Sequence, residues 1–366
     1  MAIYNKVTFG RARLNLERSY LMQENQSPYL VDWAITAKCN LNCRHCRGFP
    51  EGELSTERAR KLVAEIAELE PGWVIVEGGE PLLRDDLFEL LGLMRQKQLE
   101  VHLITNGMML SSQIITTLKQ LGVKVMISID GATRASYEAI RNGANFEKVI
   151  QSARSCVKEG LLEAINFTLL KTNYTEIPKV FELAALIGAG KLTIIGLKPC
   201  QEYTEELLSP QEYGEAIRLA CQAVQKTGVD LFFDEPFFWA AVREWGLPAP
   251  ISAGGDGILA PSTSACIFGE YLFIETNGNV KPCSFAPMTL GNVNEKPLGE
   301  IWREVLSSPF FSQLKDPITR TGSCQKCKYL ADCKGCRSRT FVLNGDWFAS
   351  DPVCPLSLKL VGKEEG

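Results

Sequence analysis

Histidine is nearly absent from this chain, with 2 in 366 residues. That excludes zinc or non-haem iron sites built on several imidazoles. It also leaves little for axial ligation of a haem, and no Cys-x-x-Cys-His run offers covalent haem attachment. Long apolar runs are missing as well. None reaches the roughly 20 residues needed to span a bilayer. Residues Met1 to Arg18 interleave Arg, Lys and Glu and hold no apolar signal-peptide core. Charge of neither sign dominates: 39 basic against 43 acidic side chains leaves −4, which argues against nucleic acid or an anionic membrane as partner. Repeats and low-complexity tracts are lacking. The expected setting is cytoplasmic.

What the chain has is cysteine, 13 residues of it. An odd count cannot pair fully, and disulfide frameworks belong to secreted chains. Ten of the cysteines fall in two clusters, so the spacing points to metal rather than to scattered core thiols. With histidine so scarce, thiolate-only coordination by zinc or iron–sulfur clusters remains.

From about residue 30 to residue 200, short β-branched runs alternate with amphipathic stretches. Strands are predicted at 31–36, 73–77, 101–105, 123–129, 164–170 and 192–197. Helices are predicted at 55–69 with Ser55 as N-cap, at 85–97 with Asp85 and Asp86 at its N-terminus, and at 111–121, 146–159 and 176–187. The alternation implies an α/β fold: a parallel sheet with right-handed crossovers, six units of which make a partial (β/α)6 TIM-like barrel. Sites on such sheets lie at the C-terminal ends of the strands. Further on, the pattern predicts a helix at 209–227, a strand at 231–233, an aromatic helix near 237–245 and a linker at 248–261. A hairpin around Asn277-Gly278 and a helix at 298–307 follow. The remainder reads as a cysteine-rich loop with little apolar core, dependent on metal for its fold. The expected divisions are an N-terminal extension (1–29), the barrel (30–200), bridging helices and linker (201–261) and a small cysteine-rich domain (262–366).

Cys39, Cys43 and Cys46 form C-x3-C-x2-C just after the first strand. Three thiolates on one loop suit three irons of a 4Fe–4S cube and leave the fourth open, whereas zinc would want a fourth protein ligand, and none lies nearby in sequence. The run Cys39-Asn40-Leu41-Asn42-Cys43-Arg44-His45-Cys46 resembles the cluster motif of radical S-adenosylmethionine (SAM) enzymes. The resemblance implies that the open iron chelates SAM and that one-electron cleavage gives a 5′-deoxyadenosyl radical, which abstracts hydrogen from a substrate. His45 stands where the family places an aromatic beside the adenine. Gly78-Gly79-Glu80-Pro81 looks like the family's motif for the SAM ammonium. Physically, adjacent glycines admit a close backbone and a carboxylate can pair with an amine. Thr105-Asn106 ends the third strand, and Ser128 with Asp130 ends the fourth, where similar motifs contact the SAM ribose. Arg141 occupies the place of an arginine that binds the SAM carboxylate.

The second cluster comprises Cys266, Cys283, Cys324, Cys327, Cys333, Cys336 and Cys354. Paired C-x2-C units also suit zinc. In context the segment resembles the SPASM extension of radical SAM enzymes, which carries auxiliary iron–sulfur clusters. That resemblance implies three 4Fe–4S clusters in all. Cys324, Cys327, Cys333 and Cys354 would hold one auxiliary cluster; Cys266, Cys283 and Cys336 would hold the other, one ligand short. Cys156 and Cys221 fall in helical periods and are expected in the core. Cys200 ends the sixth strand and is a candidate for the missing ligand or an active-site thiol, with Glu202, Tyr203, Asp234 and Glu235 as weaker substrate contacts.

The tail, with Cys333-Lys334-Gly335-Cys336-Arg337-Ser338-Arg339 and Asp351-Pro352-Val353-Cys354, resembles the haem-pathway subgroup that contains AhbC, AhbD and NirJ. It implies oxidative decarboxylation or side-chain modification of an iron tetrapyrrole. The alternative is radical modification of a ribosomal peptide or protein by thioether formation, epimerisation or cross-linking, although only about 30 residues precede the first strand, too few for a leader-binding winged helix. A remote alternative from another class is a non-catalytic iron–sulfur carrier or zinc protein. A carrier needs neither an open iron nor a SAM groove. The resemblance further implies a one-electron donor such as a ferredoxin or flavodoxin, and a small-molecule or peptide substrate.

Overall fold

The computed structural model describes residues 27–199, 204–248 and 266–357. Its strands are β1 (Val31–Ala34), β2 (Asn42–Cys43), β3 (Val74–Glu77), β4 (Val101–Thr105), β5 (Lys124–Ser128), β6 (Arg141–Asn142), β7 (Leu162–Leu169), β8 (Lys191–Gly196), β9 (Asp230–Asp234), β10 (Leu272–Ile274), β11 (Asn279–Lys281) and β12 (Gly291–Asn292). Ten of them form one sheet in the order β12-β11-β10-β1-β3-β4-β5-β7-β8-β9, and β2 pairs separately with β6. Every pairing from β10 across to β9 is parallel. The helices are α1 (Thr56–Glu68), α2 (Leu87–Gln96), α3 (Ser112–Leu121), α4 (Arg134–Ile140), α5 (Phe146–Lys158), α6 (Ile177–Ile187), α7 (Pro210–Thr227), α8 (Phe238–Glu244), α9 (Leu298–Ser307), α10 (Pro309–Lys315), α11 (Leu330–Cys333) and α12 (Arg337–Asn344).

Alternation along each strand sorts the two faces of the sheet. Val31, Trp33, Val74, Val76, Leu103, Val125, Ile127, Phe167, Leu192 and Ile194 are fully buried, in one core with the inner faces of the flanking helices. Cys156 and Cys221 lie in that core, as expected, and burial pushes both thiols up to about 12. The opposite face is only half-buried at Ile75, Glu77, Ile104, Met126, Thr193, Ile195 and Phe232. At its β1 and β10 end a smaller apolar cluster of Leu30, Ala34, Tyr271 and Phe273 packs on this face, with Ile75 beside it.

The cysteine-rich segment reaches both edges of this sheet. At one edge β10 extends it beside β1, with Val31 opposite Leu272 and Trp33 opposite Ile274. There Arg58 of α1 donates to Val293 O (2.8 and 2.6 Å), and Glu65 accepts from Leu298 N (2.8 Å). At the other edge Arg339 of α12 grips Glu235, just beyond β9, through two hydrogen bonds of 2.9 and 2.7 Å. The same guanidinium holds Asp351 at 2.9 and 2.7 Å.

Three readings of the sequence change. The tail expected to be a loop contains α10, α11 and α12. Helix α12 has no apolar stripe because the residues it buries are Arg337, Ser338, Arg339 and Thr340. Helix α4 went unpredicted; it has seven residues, too short for a periodic signal, and is set by a Thr133–Ser136 capping box. Asp86 does precede α2, but its side chain makes no cap bond and instead accepts from Arg84 Nε (2.6 Å) and Thr56 Oγ1 (2.6 Å). Cys200, Glu202, Tyr203 and nearly all of the expected linker lie outside the described residues.

Breaking a buried ion pair strands its partners, at about 3–5 kcal/mol. Arg339→Met is therefore expected to lower the denaturation free energy of the anaerobic, metal-loaded protein by that amount. Arg60→Ala, at the exposed pair with Glu89, should leave the denaturant midpoint where it was.

Candidate active site and iron–sulfur centres

The loop from Cys39 to Cys46 leaves β1 at its C-terminal end and is braced on two sides. On one side, the backbone of Gly78–Gly79 packs on residues 36–38, with Gly79 N donating to Thr36 O (2.7 Å) and Glu80 N to Lys38 O (2.7 Å). A Cβ at Gly79 would collide with the Lys38 carbonyl, and one at Gly78 with the Thr36 carbonyl. Gly78 also sits at φ +145°, which favours glycine. The glycine pair is thus used for close contact with the chain's own backbone.

Glu80 is fully buried, and its carboxylate is taken up by three protein donors: Thr105 Oγ1 (2.8 Å), Asn106 N (2.9 Å) and Leu82 N (3.2 Å). Burial raises its pKa, with these hydrogen bonds pulling the other way. The carboxylate thereby braces the ends of β3 and β4 against each other. From there Asn106 Nδ2 donates to Asn40 Oδ1 at 2.8 Å, inside the cysteine loop. Pro81 is buried at the start of the short 3-10 turn that follows Glu80.

On the other side, β2 pairs with β6, placing Cys43 opposite Arg141. Arg141 Nε donates to Asp130 Oδ2 (2.6 Å), and its Nη1 lies 3.9 Å from Cys43 Sγ. Asp130, just past β5 and Ser128, also accepts from Thr168 N (2.7 Å) and lies 3.3 Å from His45 Nε2. Burial opposes the Arg141 charge, yet Asp130 and Cys43 hold its pKa above the usual value. Burial and then Arg141 lower the His45 pKa against the pull of Asp130, so the imidazole is neutral at pH 7. His45 Nδ1 is buried without a hydrogen-bond partner among the described residues, as is Tyr137 OH. A cleft of about 120 Å³ bounded by Arg44, His45, Leu170, Glu205 and Glu206 opens beside the ring.

The three loop thiols lie close enough to feel one another. Burial pushes Cys43 up to about 11, with Arg141 lowering it and Asp130, Cys46 and Cys39 raising it. Burial likewise raises Cys39, helped by Glu80 and Cys46.

The seven later cysteines separate into two neighbourhoods by the same measure. Burial raises Cys336 and Cys266 first, and each also feels a thiolate of its own group: Cys336 feels Cys266, and Cys266 feels Cys283. Burial raises Cys333, Cys354 (to about 12) and Cys327, each of which also feels Cys324. Cys333 and Cys354 feel each other as well. Cys266, Cys283 and Cys336 thus neighbour one another, as do Cys324, Cys327, Cys333 and Cys354, and the two sets adjoin where Cys266 N donates to Cys333 O (3.5 Å). Among the described residues no three His, Cys, Asp or Glu gather as a single metal ion requires.

Comparison with known proteins agrees with this geometry. Residues 33–184 match the radical SAM superfamily and residues 266–337 the iron–sulfur cluster-binding SPASM domain. An AdoMet-dependent heme synthase of Methanosarcina barkeri is 33% identical over 343 residues, covering 90% of this chain and 96% of that protein. This chain belongs to the radical SAM superfamily. A second AdoMet-dependent heme synthase, from Nitratidesulfovibrio vulgaris, is 30% identical over 89% of this chain and 91% of its own length. The solved structure of anSMEcpe with bound AdoMet and Cp18Cys peptide shares the fold, with TM-score 0.68 and 20% identity over 90% of this chain and 94% of that one.

As a radical SAM enzyme with a SPASM domain, the chain uses SAM and 4Fe–4S clusters. The donor set fits them. Cys39, Cys43 and Cys46 are the residues that could hold the SAM-cleaving cluster, and the orphaned His45 Nδ1 is a buried donor or acceptor awaiting a ligand beside it. Near the auxiliary groups, Arg337 Nη2 and Ser338 Oγ are likewise buried without partners. Cluster sulfides are acceptors for such donors. The sequence reading missed Asn40, Tyr137, Arg337 and Arg339. Only the density of basic residues after Cys336 hinted at the last two.

Asn106→Ala removes the side-chain bridge to Asn40 and leaves the later cysteines untouched. The variant should lose part of its SAM-induced cluster signal, while iron held by the later cysteines stays constant. Gly79→Ala should lose that signal entirely.

Proposed function

We propose that this radical SAM enzyme alters carboxylate-bearing side chains of an iron tetrapyrrole, by oxidative decarboxylation or a related loss of side-chain carbon. The observation that carries the reading is similarity to AdoMet-dependent heme synthases over nine-tenths of the chain, tail included. The half-buried face of the sheet supports it. It presents Ile104, Met126, Ile195 and Phe232, which suit the face of a flat macrocycle, interleaved with the polar Glu77 and Thr193. At its rim, Arg47 stands over the rings of Phe49, Phe273 and Phe285 at 4.8–5.3 Å while pairing with Glu77. Lys198, beyond β8, lies 5.8 Å from the Phe285 ring.

SAM with its cluster supplies a hydrogen-abstracting radical when bound. The chain's own residues position it. Arg141, fixed by Asp130, presents a guanidinium to the SAM carboxylate. His45 offers a neutral ring to the adenine, and Ser128 and Asp130 border the ribose. Glu80 holds Thr105 and Asn106 so that the backbone at 78–79 meets the SAM amine. Cys39, Cys43 and Cys46 carry the SAM-cleaving cluster; Cys266, Cys283 and Cys336 carry one auxiliary cluster, and Cys324, Cys327, Cys333 and Cys354 the other. An external one-electron donor such as a ferredoxin or flavodoxin supplies the low potential. Oxygen-labile clusters suit a reducing cytoplasm. No helix of the described residues is long and apolar enough to cross a membrane.

The test is anaerobic incubation of the reconstituted protein with reductant, SAM and an iron tetrapyrrole bearing propionates. The expected result is 5′-deoxyadenosine formed in step with a tetrapyrrole product that has lost carboxylate as carbon dioxide. Turnover with a cysteine-containing peptide instead supports the peptide reading. Absence of 5′-deoxyadenosine with every substrate contradicts the enzyme reading.

A further inference from the structure

The two auxiliary cysteine groups sit in unlike surroundings. Around Cys266, Cys283 and Cys336 there are side-chain donors. The Arg337 guanidinium lies beside Cys266 and is 1% exposed. Its Nη1 donates to Trp347 O (2.7 Å) and Ala349 O (3.1 Å) and its Nε to Gly335 O (3.1 Å), but Nη2 has no partner among the described residues. Ser338 Oγ, two residues past Cys336, is equally buried and unpartnered. Tyr271 OH accepts from Ser284 N at 2.9 Å and lies within electrostatic reach of the Cys283 sulfur, to which its O–H is free to turn. Lys198, held to Glu235 at 3.4 Å and to Asp234 at 3.2 Å, stands near Cys336.

Carboxylates are also present here, so the balance must be struck. Asp351 accepts Cys336 N at 2.9 Å, but its charge is spent on Arg339, which Glu235 shares. With cations and carboxylates offset, the donors decide. Around Cys324, Cys327, Cys333 and Cys354 no buried side-chain donor stands unpartnered among the described residues. The buried Arg320 guanidinium acts on both Cys324 and Cys266, with its donors taken up by Lys334 O, Thr319 Oγ1 and Leu314 O, so it does not separate the two groups; the other nearby charges include Asp351, beside Cys333 and Cys354, and Glu244, beside Cys327. Lys328, also near Cys327, is mostly exposed and so screened.

Hydrogen bonds to cluster sulfur and nearby positive charge stabilise the reduced state, because reduction adds negative charge to the cluster. We infer that the two auxiliary clusters are electronically unequal, and that the one held by Cys266, Cys283 and Cys336 has the higher reduction potential, with Tyr271 and Arg337 as the positioning residues that set it. The inference rests on the assignment of the seven cysteines to two clusters. It places the better electron acceptor on the side of the half-buried sheet face, next to Lys198 and Phe285, and the poorer one on the flank that carries Lys328.

The test is potentiometric EPR on the intact three-cluster protein, wild type against Tyr271→Phe and Lys198→Met. Tyr271→Phe deletes one O–H donor with little change of shape. The higher-potential auxiliary signal should move negative in both variants, for a roughly tenfold loss of electron affinity by about 59 mV, with the lower-potential signal unmoved. Lys198→Arg should restore most of the shift. Movement of the lower-potential signal, or of neither, overturns the inference. Wild-type protein that binds iron for fewer than two auxiliary clusters overturns the underlying assignment instead, and the inference falls with it.

Discussion

The backbone of Gly78–Gly79 lies so close against Thr36–Lys38 that neither glycine can carry a side chain. The rest of the site depends on this joint. It fixes the end of β3 to the stretch that feeds the cysteine loop, and Glu80 extends it to the end of β4 through Thr105 and Asn106. A second brace, Asp130 with Arg141, ties the far side of the loop to the end of β5. Cys39, Cys43 and Cys46 are thus held by neighbours that are themselves buried and hydrogen-bonded, while the thiols stay at least partly exposed. An exposed loop carrying three reduced thiols gains little order from its own packing, so its shape has to come from the strand ends beneath it.

The same logic scales up to the tail. The tail, expected to have little apolar core, buries Phe268, Leu272, Val293, Ile301, Trp302 and Leu314 in the same core as the barrel strands. Strand β10 takes over the free edge of β1, and α12 grips the opposite edge through Arg339, Glu235 and Asp351. The auxiliary cysteines are thereby placed relative to the half-buried face of the sheet by hydrogen bonds and ion pairs, which demand register more strictly than apolar contact does.

Much of this was legible in the sequence, and the exceptions have physical causes. Alternating β-branched runs and caps such as Ser55 and Ser209 located the barrel elements, because each is decided locally. The spacing of Cys266 through Cys354 gave the interleaved grouping only by resemblance, since contacts between residues about seventy apart leave no periodic trace. Glu80 was recognisable as part of a motif, but its bonds to Thr105 and Asn106 join separate strand ends and left no signal in one dimension. Helix α12 was missed because its buried face is charged, and a hydrophobic pattern cannot report a guanidinium buried between two carboxylates. The pairing of β10 with β1 joins residues more than two hundred apart and had no local signal at all.

The central claim is that two strand-end braces present Cys39, Cys43 and Cys46 as ligands of a cluster with an open iron that binds SAM, separate from two auxiliary clusters. EPR of the dithionite-reduced protein, recorded with and without SAM, tests it most directly. The account predicts that SAM changes one cluster's signal in the wild type. In the variant with all three cysteines replaced by Ala, that signal disappears and the auxiliary signals persist. A SAM-dependent change that survives the triple replacement would contradict it.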